Sequence, residues 1–222
     1  MITLHHCMSA RSFRILWMLE ELGMEYDLVM HDFPPRHLEN DYKKTNPLGT
    51  VPAFYDDSIF MTESSAVCQY LADRYSANKM GVGVAEPSYG CYINFLHFGE
   101  ATLTFPQTLI LRYKYFESLE RRIEQVAIDY ERWFLSRLKL IDERLLSKDY
   151  ICSGRFTAAD VSVGYSLMLA SYLDMEEKFG DGIKRYWDKL SSREAYIRSL
   201  KIQEREAKRQ SVSLTASPNV RL

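Results

Sequence analysis

Asn46-Pro-Leu-Gly-Thr-Val-Pro-Ala-Phe-Tyr-Asp56, followed at a short distance by Thr62-Glu63-Ser64-Ser65, is the stretch on which the reading of this chain turns. Asn-Pro and the small Leu-Gly-Thr run build a loop, and Val51-Pro52 then enters a strand. Proline has no N–H for a sheet ladder, so within a sheet it belongs at an edge, at a strand's first residue or in a cis bond. A cis Val51-Pro52 bond turns the chain and leaves the N–H and C=O of Val51 facing outward. Those groups can hold an extended peptide by strand addition. Glu63-Ser64-Ser65 opens an apolar helical pattern through Ala66, Val67, Tyr70 and Leu71. A helix start presents unbonded N–H groups and positive potential, which suits a carboxylate. The two features together fit a zwitterionic tripeptide.

Outward from this stretch, Ile2–His6 reads as a strand, a loop follows at 7–10, and a helix runs from about Arg11 to Gly23. Its apolar residues Phe13, Ile15, Leu16, Trp17, Leu19 and Leu22 cover more than one face, so both sides are expected to be packed. Glu25–Met30 alternates as a strand, Pro34-Pro35 ends it, and 38–44 is read as a short helix. Ala53–Asp56 and Ser58–Met61 pair across a turn, and Glu63–Tyr75 is the next helix. The order β-α-β-α-β-β-α over residues 1–76 is an α/β domain with a mixed sheet. Gly81, Gly83 and Pro87 punctuate an aperiodic linker at 77–87.

Beyond the linker the signal is helical throughout 88–210, with a tail at 211–222. Residues 88–117 read as one long helix kinked at Pro106. Ile123, Val126, Tyr130, Trp133, Phe134, Arg137, Leu138, Ile141 and Leu145 keep helical spacing along a second, with Arg137 the one polar exception, and helices follow at 157–173 and 180–208. At Phe156-Thr157-Ala-Ala-Asp160-Val161, Thr157 sits as N-cap, Asp160 three residues in, and Phe156 and Val161 at the two staple positions.

The 222 residues are 46% hydrophobic, enough for a sizeable core and ample for two small domains. A formal net charge of -2 with both signs mixed gives no footprint for nucleic acid; Arg121-Arg122 is flanked by Glu117, Glu120 and Glu124. Cys7, Cys68, Cys91 and Cys152 lack metal-ligand or CxxC spacing, so no metal is expected. With no signal peptide or membrane span in view, a reducing cytoplasm is the expected compartment.

Asn46-Pro-Leu-Gly-Thr-Val-Pro-Ala, Glu63-Ser64 and Gly154-Arg-Phe-Thr157-Ala-Ala-Asp160, in that order, resemble the motifs of the cytosolic glutathione transferases. The likeness spans about residues 1–208 and points to bacterial-type members with a serine active site, of the theta, delta and zeta kind. It implies a thioredoxin-like first domain, an all-α helical-bundle second one, and a homodimer active in detoxification. It further implies that Pro52 is cis, that Val51 pairs with the cysteinyl backbone of glutathione, and that Glu63 and Ser64 hold the γ-glutamyl end. Thr50 lies on the same edge. His37 stands where some serine-type members place a histidine near the glycyl carboxylate. The second histidine such members carry near the cis-proline loop is replaced by Gly49, with Lys44 or Arg11 as substitutes.

Glutathione must react as thiolate, and with a thiol pKa near ~8.5 only a few per cent is ionised at neutral pH. A hydroxyl donor at a helix N-terminus lowers that pKa by a hydrogen bond to the anion and by the helix dipole. Ser9, between the first strand and first helix, occupies that place. It also stands fourteen residues before Gly23, the spacing that similar serine-type enzymes show. Ser12 is the spare hydroxyl, Arg11 a supplementary charge, and His5 and His6 are read as structural.

Cys7 supports a rival reading, a thiol transferase working through a mixed disulfide. A non-catalytic module of the same fold is a third. An apolar electrophile requires a pocket, for which the kinked helix offers Phe98, Thr102, Phe105, Leu109, Tyr113 and Phe116. Conjugation, dehalogenation, ether cleavage and cis–trans isomerisation all draw on the same thiolate.

Overall fold

The computed structural model describes residues 1–77 and 79–215, so the part of the expected tail from 216 onward lies outside the described residues. The chain divides into two compact units: Met1–Ser76 with the segment that begins at Arg193, and Ala77–Ser192.

In the first unit β1 (Ile2–His6), α1 (Phe13–Leu22), β2 (Asp27–Met30), α2 (Pro35–Leu38), α3 (Tyr42–Thr45), β3 (Ala53–Asp56), β4 (Ile59–Met61) and α4 (Ser64–Tyr75) follow one another. The sheet order is β2-β1-β3-β4, with β1 parallel to β2 and antiparallel to β3, and β3 antiparallel to β4. This is the mixed sheet expected of a thioredoxin-like domain. The short helix read at 38–44 is two helical turns instead, because Glu39 adopts an extended conformation between them. Helix α1 buries Phe13 and the run Ile15–Leu19, and ends at Gly23, whose φ of 63° supplies the left-handed cap.

A second difference lies at the far end. The helix read at 180–208 is broken at Ser192-Arg193 into α9 (Asp181–Ser191) and α10 (Glu194–Arg209). Although 88–210 reads as a single helical domain, α10 packs in the first unit, against α1. Arg193 makes a two-pronged contact with Glu21 at 2.6 and 2.8 Å, Arg198 meets Glu20 at 3.0 Å, and Tyr196 sets its edge on Trp17 and Phe13.

The second unit is helical. Residues 89–116 form one continuous helical stretch, but not a uniform one. Helix α5 (Tyr89–His97) widens to a π-helix over Phe98–Thr104, tightens as α6 (Phe105–Leu111), and widens again over Arg112–Phe116. Pro106 lies in the first turn of α6 and has no N–H to donate back into the wide turn that precedes it. Gly99 lies against α8 (Ala158–Tyr172), where a Cβ would come within 2.4 Å of Ser162 Oγ and 2.6 Å of its carbonyl carbon.

Helix α8 is buried along nearly its whole length and forms the centre of this unit. Its start is the capping box read from the sequence. Thr157 donates to Asp160 Oδ2 from its N–H (2.8 Å) and its hydroxyl (3.0 Å). Ile151 N–H and the Tyr186 hydroxyl each add a bond of 2.9 Å to Asp160 Oδ1. Helix α7 (Glu124–Leu145) buries Phe134, Leu138, Ile141 and Leu145 but leaves Trp133 about half exposed, so its periodic apolar residues cover two faces.

Candidate active site

The Val51-Pro52 bond is cis, as is Phe33-Pro34, which sequence reasoning did not anticipate. Val51 precedes the β3 ladder, and its N–H and C=O enter no hydrogen bond among the described residues. The loop that presents them is tied down by Asn46, a buried residue absent from the expected ligand set. Its Nδ2 donates to Thr50 O (2.7 Å) and more weakly to Pro52 O (3.4 Å), while its Oδ1 accepts from Leu48 N–H (3.0 Å). Tyr42 adds a bond to Thr50 O at 2.8 Å. Gly49, where a second histidine was looked for, has φ 66°, and a Cβ there would stand 2.8 Å from Arg36 Cβ. Backbone and packing both favour glycine at that position.

Helix α4 begins beside Glu63, which is exposed and extended at the N-cap. Ser64 is buried, and its Oγ accepts from Arg14 Nη1 at 3.1 Å. Arg14 is wholly buried, so a guanidinium charge sits behind the positive end of α4 and adds to its pull on an anion. Sequence reasoning passed over Arg14. Its signal was a lone charge inside the apolar run Phe13-Arg14-Ile15-Leu16-Trp17. Of the other expected ligands, Thr50, His37 and Lys44 are exposed and Arg11 half-buried. His37 Nε2 accepts from Arg36 Nε at 3.2 Å, and Lys44 pairs with Asp41 at 2.8 Å.

The β1–α1 turn carries the expected thiol activators. Ser9 is buried with φ 54°, in the left-handed region that few non-glycine residues adopt. Its N–H donates to Gln203 Oε1 (2.9 Å), and its Oγ accepts from Gln203 Nε2 (3.2 Å). Ser12, the spare hydroxyl, is wholly buried, and its Oγ lies 2.6 Å from His6 Nδ1. His6 reaches Gln203 through Nε2 at 3.0 Å. Burial lowers the His6 pKa to about 4, against the smaller opposing effect of Gln203, so the ring is neutral near pH 7.

Cys7 is wholly buried, its Sγ 3.8 Å from Asp32 O. Burial, reinforced by Glu39 and Asp32, pushes its thiol well above the ordinary range, the reverse of what a nucleophile needs. On the face of β1 away from His6, His5 stacks on His31, with Nδ1 2.8 Å from His31 Nε2. His31 in turn meets Glu39 at 2.7 Å. Burial, then the neighbouring His31, lowers the His5 pKa to about 4. These contacts tie β1 and β2 to the residue that follows α2.

In the second unit the expected pocket residues share one property. Phe98, Thr102, Phe105, Leu109, Tyr113 and Phe116 are all half-buried or exposed, whereas Leu103, Thr104, Gln107, Ile110 and Leu111 between them are buried. The stripe is therefore the uncovered face of this helical stretch. Among the described residues no cluster of three or more His, Cys, Asp or Glu is placed to hold a metal, and no helix is long and apolar enough to cross a membrane.

The cis-proline edge on a β2-β1-β3-β4 sheet, the helix start beside it and the helical second unit together define a thioredoxin-like protein of the transferase type. The family model for the glutathione S-transferase N-terminal domain matches residues 1–73. Glutathione S-transferase 3 of Schizosaccharomyces pombe is 31% identical over 208 residues, covering 88% of this chain and 85% of its own. The glutathione transferase URE2P8 of Phanerochaete chrysosporium, solved with oxidized glutathione, superposes with a TM-score of 0.81 at 20% identity, covering 94% of this chain and 97% of that one. Ure2p5 of the same fungus, cocrystallized with 1-(S-glutathionyl)-2,4-dinitrobenzene, gives 0.79 at 20% identity, covering 96% and 98%. The chain belongs to the cytosolic glutathione S-transferase family and has its fold.

Proposed function

We propose that this protein binds glutathione along Val51 and the start of α4, ionises its thiol at the β1–α1 turn, and directs the thiolate onto a hydrophobic electrophile. The observation that carries the reading is the unbonded N–H and C=O of Val51 on a loop fixed by Asn46, on the same sheet that leads into α4. The cysteinyl backbone would add to that edge as a short strand. The γ-glutamyl carboxylate would take the N-terminus of α4 at Ser64, with Arg14 behind it, and its ammonium the exposed Glu63. Thr50, His37, Lys44 and Arg11 are the candidates for the glycyl end.

Ser9 is the proposed donor to the sulfur. Gln203 anchors the Ser9 hydroxyl oxygen, and the adjoining start of α1 favours an anion. Lowering the thiol pKa by about two units raises the thiolate fraction near neutral pH by well over tenfold. The uncovered stripe from Phe98 to Phe116 supplies an apolar surface for the electrophile. The relative crystallised with a glutathionyl dinitrobenzene supports an aryl group as guest in that protein. The assembly is proposed to be a homodimer, which light scattering checks.

Titration with glutathione by calorimetry, followed by turnover of a chloronitrobenzene, tests the reading. Binding and conjugation are expected, and Ser9→Ala is expected to lower kcat/KM at neutral pH by about tenfold to hundredfold. Binding without turnover of any electrophile would favour a non-catalytic module. Activity that survives Ser9→Ala but disappears in Cys7→Ser would favour the thiol transferase, against the burial of Cys7.

A further inference from the structure

The side-chain amide of Gln203 on α10 touches the backbone and the hydroxyl of one residue, Ser9. The chemistry of the partners fixes the direction of each of these bonds. Ser9 N–H can only donate, so the amide atom 2.9 Å away must be Oε1. The same Oε1 lies 3.0 Å from His6 Nε2, so that nitrogen carries the imidazole proton. His6 Nδ1 is then bare and accepts from the Ser12 hydroxyl at 2.6 Å. Gln203 Nε2 is left to donate to Ser9 Oγ at 3.2 Å. The sequence Ser12 O–H to His6, His6 N–H to Gln203, Gln203 N–H to Ser9 runs in one direction and ends by making the Ser9 oxygen an acceptor. All four side chains are at most 2% exposed, so water does not compete for these bonds.

We propose that Gln203 is a positioning residue for thiol activation. It holds the Ser9 backbone in its left-handed conformation and anchors its hydroxyl oxygen, so that the serine is presented to the sulfur in one orientation. The proposal rests on the reading of Ser9 as the thiol donor. Gln203 is 2% exposed and acts through Ser9. Two turns further along the same face, Gln210 provides a control built into the fold. Its Oε1 accepts from Met30 N–H (2.9 Å) and its Nε2 donates to Leu28 O (2.8 Å), docking α10 on the edge of β2 without touching Ser9.

The test uses full-length protein in four variants: Gln203→Leu, Gln203→Glu, Gln210→Leu and Ser9→Ala. The readouts are the pKa of the bound glutathione thiol, from the ultraviolet absorbance of the thiolate, and kcat and KM for a chloronitrobenzene. Gln203→Leu is expected to raise the bound thiol pKa by about one unit and lower kcat by about tenfold, with KM for glutathione changed less than about threefold. Gln203→Glu keeps both acceptor contacts but has no proton for Ser9 Oγ. The serine would then donate to the new carboxylate, and the thiol pKa is again expected to rise. Gln210→Leu should loosen α10 and lower the melting temperature, leaving thiol pKa and kcat within about twofold. If Ser9→Ala raises the thiol pKa while both Gln203 variants keep the native value, Gln203 has only a structural role and the proposal is overturned alone. Native values in Ser9→Ala overturn the reading of Ser9 and the proposal with it. Equal effects of Gln210→Leu and Gln203→Leu on thiol pKa overturn the proposal too, since helix docking would then account for both.

Discussion

His6 makes the first unit sensitive to acid in a way that can be isolated. The ring is wholly buried and its pKa is lowered from 6.5 to about 4, chiefly by burial. Between those two values an unfolded chain carries a proton on residue 6 that the folded chain refuses. The unfolded state therefore binds more protons, and stability rises with pH across this window. The full contribution is present above about 6.5 and is lost progressively as pH falls toward 4. At roughly 1.4 kcal/mol per pKa unit the gap corresponds to about 3 kcal/mol, a large part of the ~5–15 kcal/mol typical of a folded domain. His5 acts in the same direction but less, because solvent reaches it and screens its charge. Urea unfolding followed through Trp17, the tryptophan of the first unit, should give a stability that falls between pH 6.5 and 4. His6→Asn removes the titrating ring and strands Ser12 and Gln203, costing about 1–3 kcal/mol at pH 7. Carboxylates titrate equally in both proteins, so the difference between the two curves reports residue 6. The variant's curve should be flatter by up to one proton across the window. Parallel curves would refute the reasoning.

Three further outcomes are expected. Asp160→Ala leaves Ile151 N–H, both Thr157 donors and the Tyr186 hydroxyl without their buried acceptor, which should cost the second unit about 3–5 kcal/mol. Adding Tyr186→Phe removes one stranded donor, so the double variant should lose less than the sum of the singles in chemical denaturation. Asn46→Ala frees the Val51 loop and should weaken glutathione binding by about tenfold in calorimetry, with His6 still titrating as in the parent. Cys7, buried and with its thiol pushed up, should resist iodoacetamide in the folded protein, whereas Cys91, half-buried, should be alkylated first. Mass spectrometry of the digested protein decides between them.

What the sequence reveals and what it conceals follow from the range of the forces involved. Val51-Pro52 and the box at Thr157 and Asp160 are legible because proline and capping residues act over three or four positions. The succession of strands and helices along the chain is legible because period-2 and period-3.6 patterns alternate within 76 residues. The π-helical turn at 98–104 is not, because Gly99 within it lies against Ser162, 63 positions away. Arg14 reads as an ordinary charge until its burial beneath Ser64 is seen. That Gly49 replaces the second histidine of similar enzymes is legible in the sequence, whereas the reason, Arg36 filling the space beside it, is not.

The membership of α10 in the first unit is the instructive miss, because its signal is present in the chain. From Gln203 to Gln210 the only uncharged residues are Gln203, Ala207 and Gln210, at i, i+4 and i+7, among Glu204, Arg205, Glu206, Lys208 and Arg209. Helical periodicity marked by amides rather than by aliphatic residues does not register as an apolar stripe, although it marks a buried face as firmly. An amide inserted beside a backbone supplies both a donor and an acceptor, so it can cap an irregular turn or a bare strand edge where leucine would leave polar groups stranded. Gln203 does the first at Ser9 and Gln210 the second at β2. A sheet of four strands with α1, α4 and short turns about it thus has its β2 edge and its β1–α1 turn both closed by one helix, α10. Shortening α10 before Gln203 would therefore be expected to disturb thiol chemistry encoded in the first ten residues, a dependence that runs against reading the two ends of the chain as separate modules.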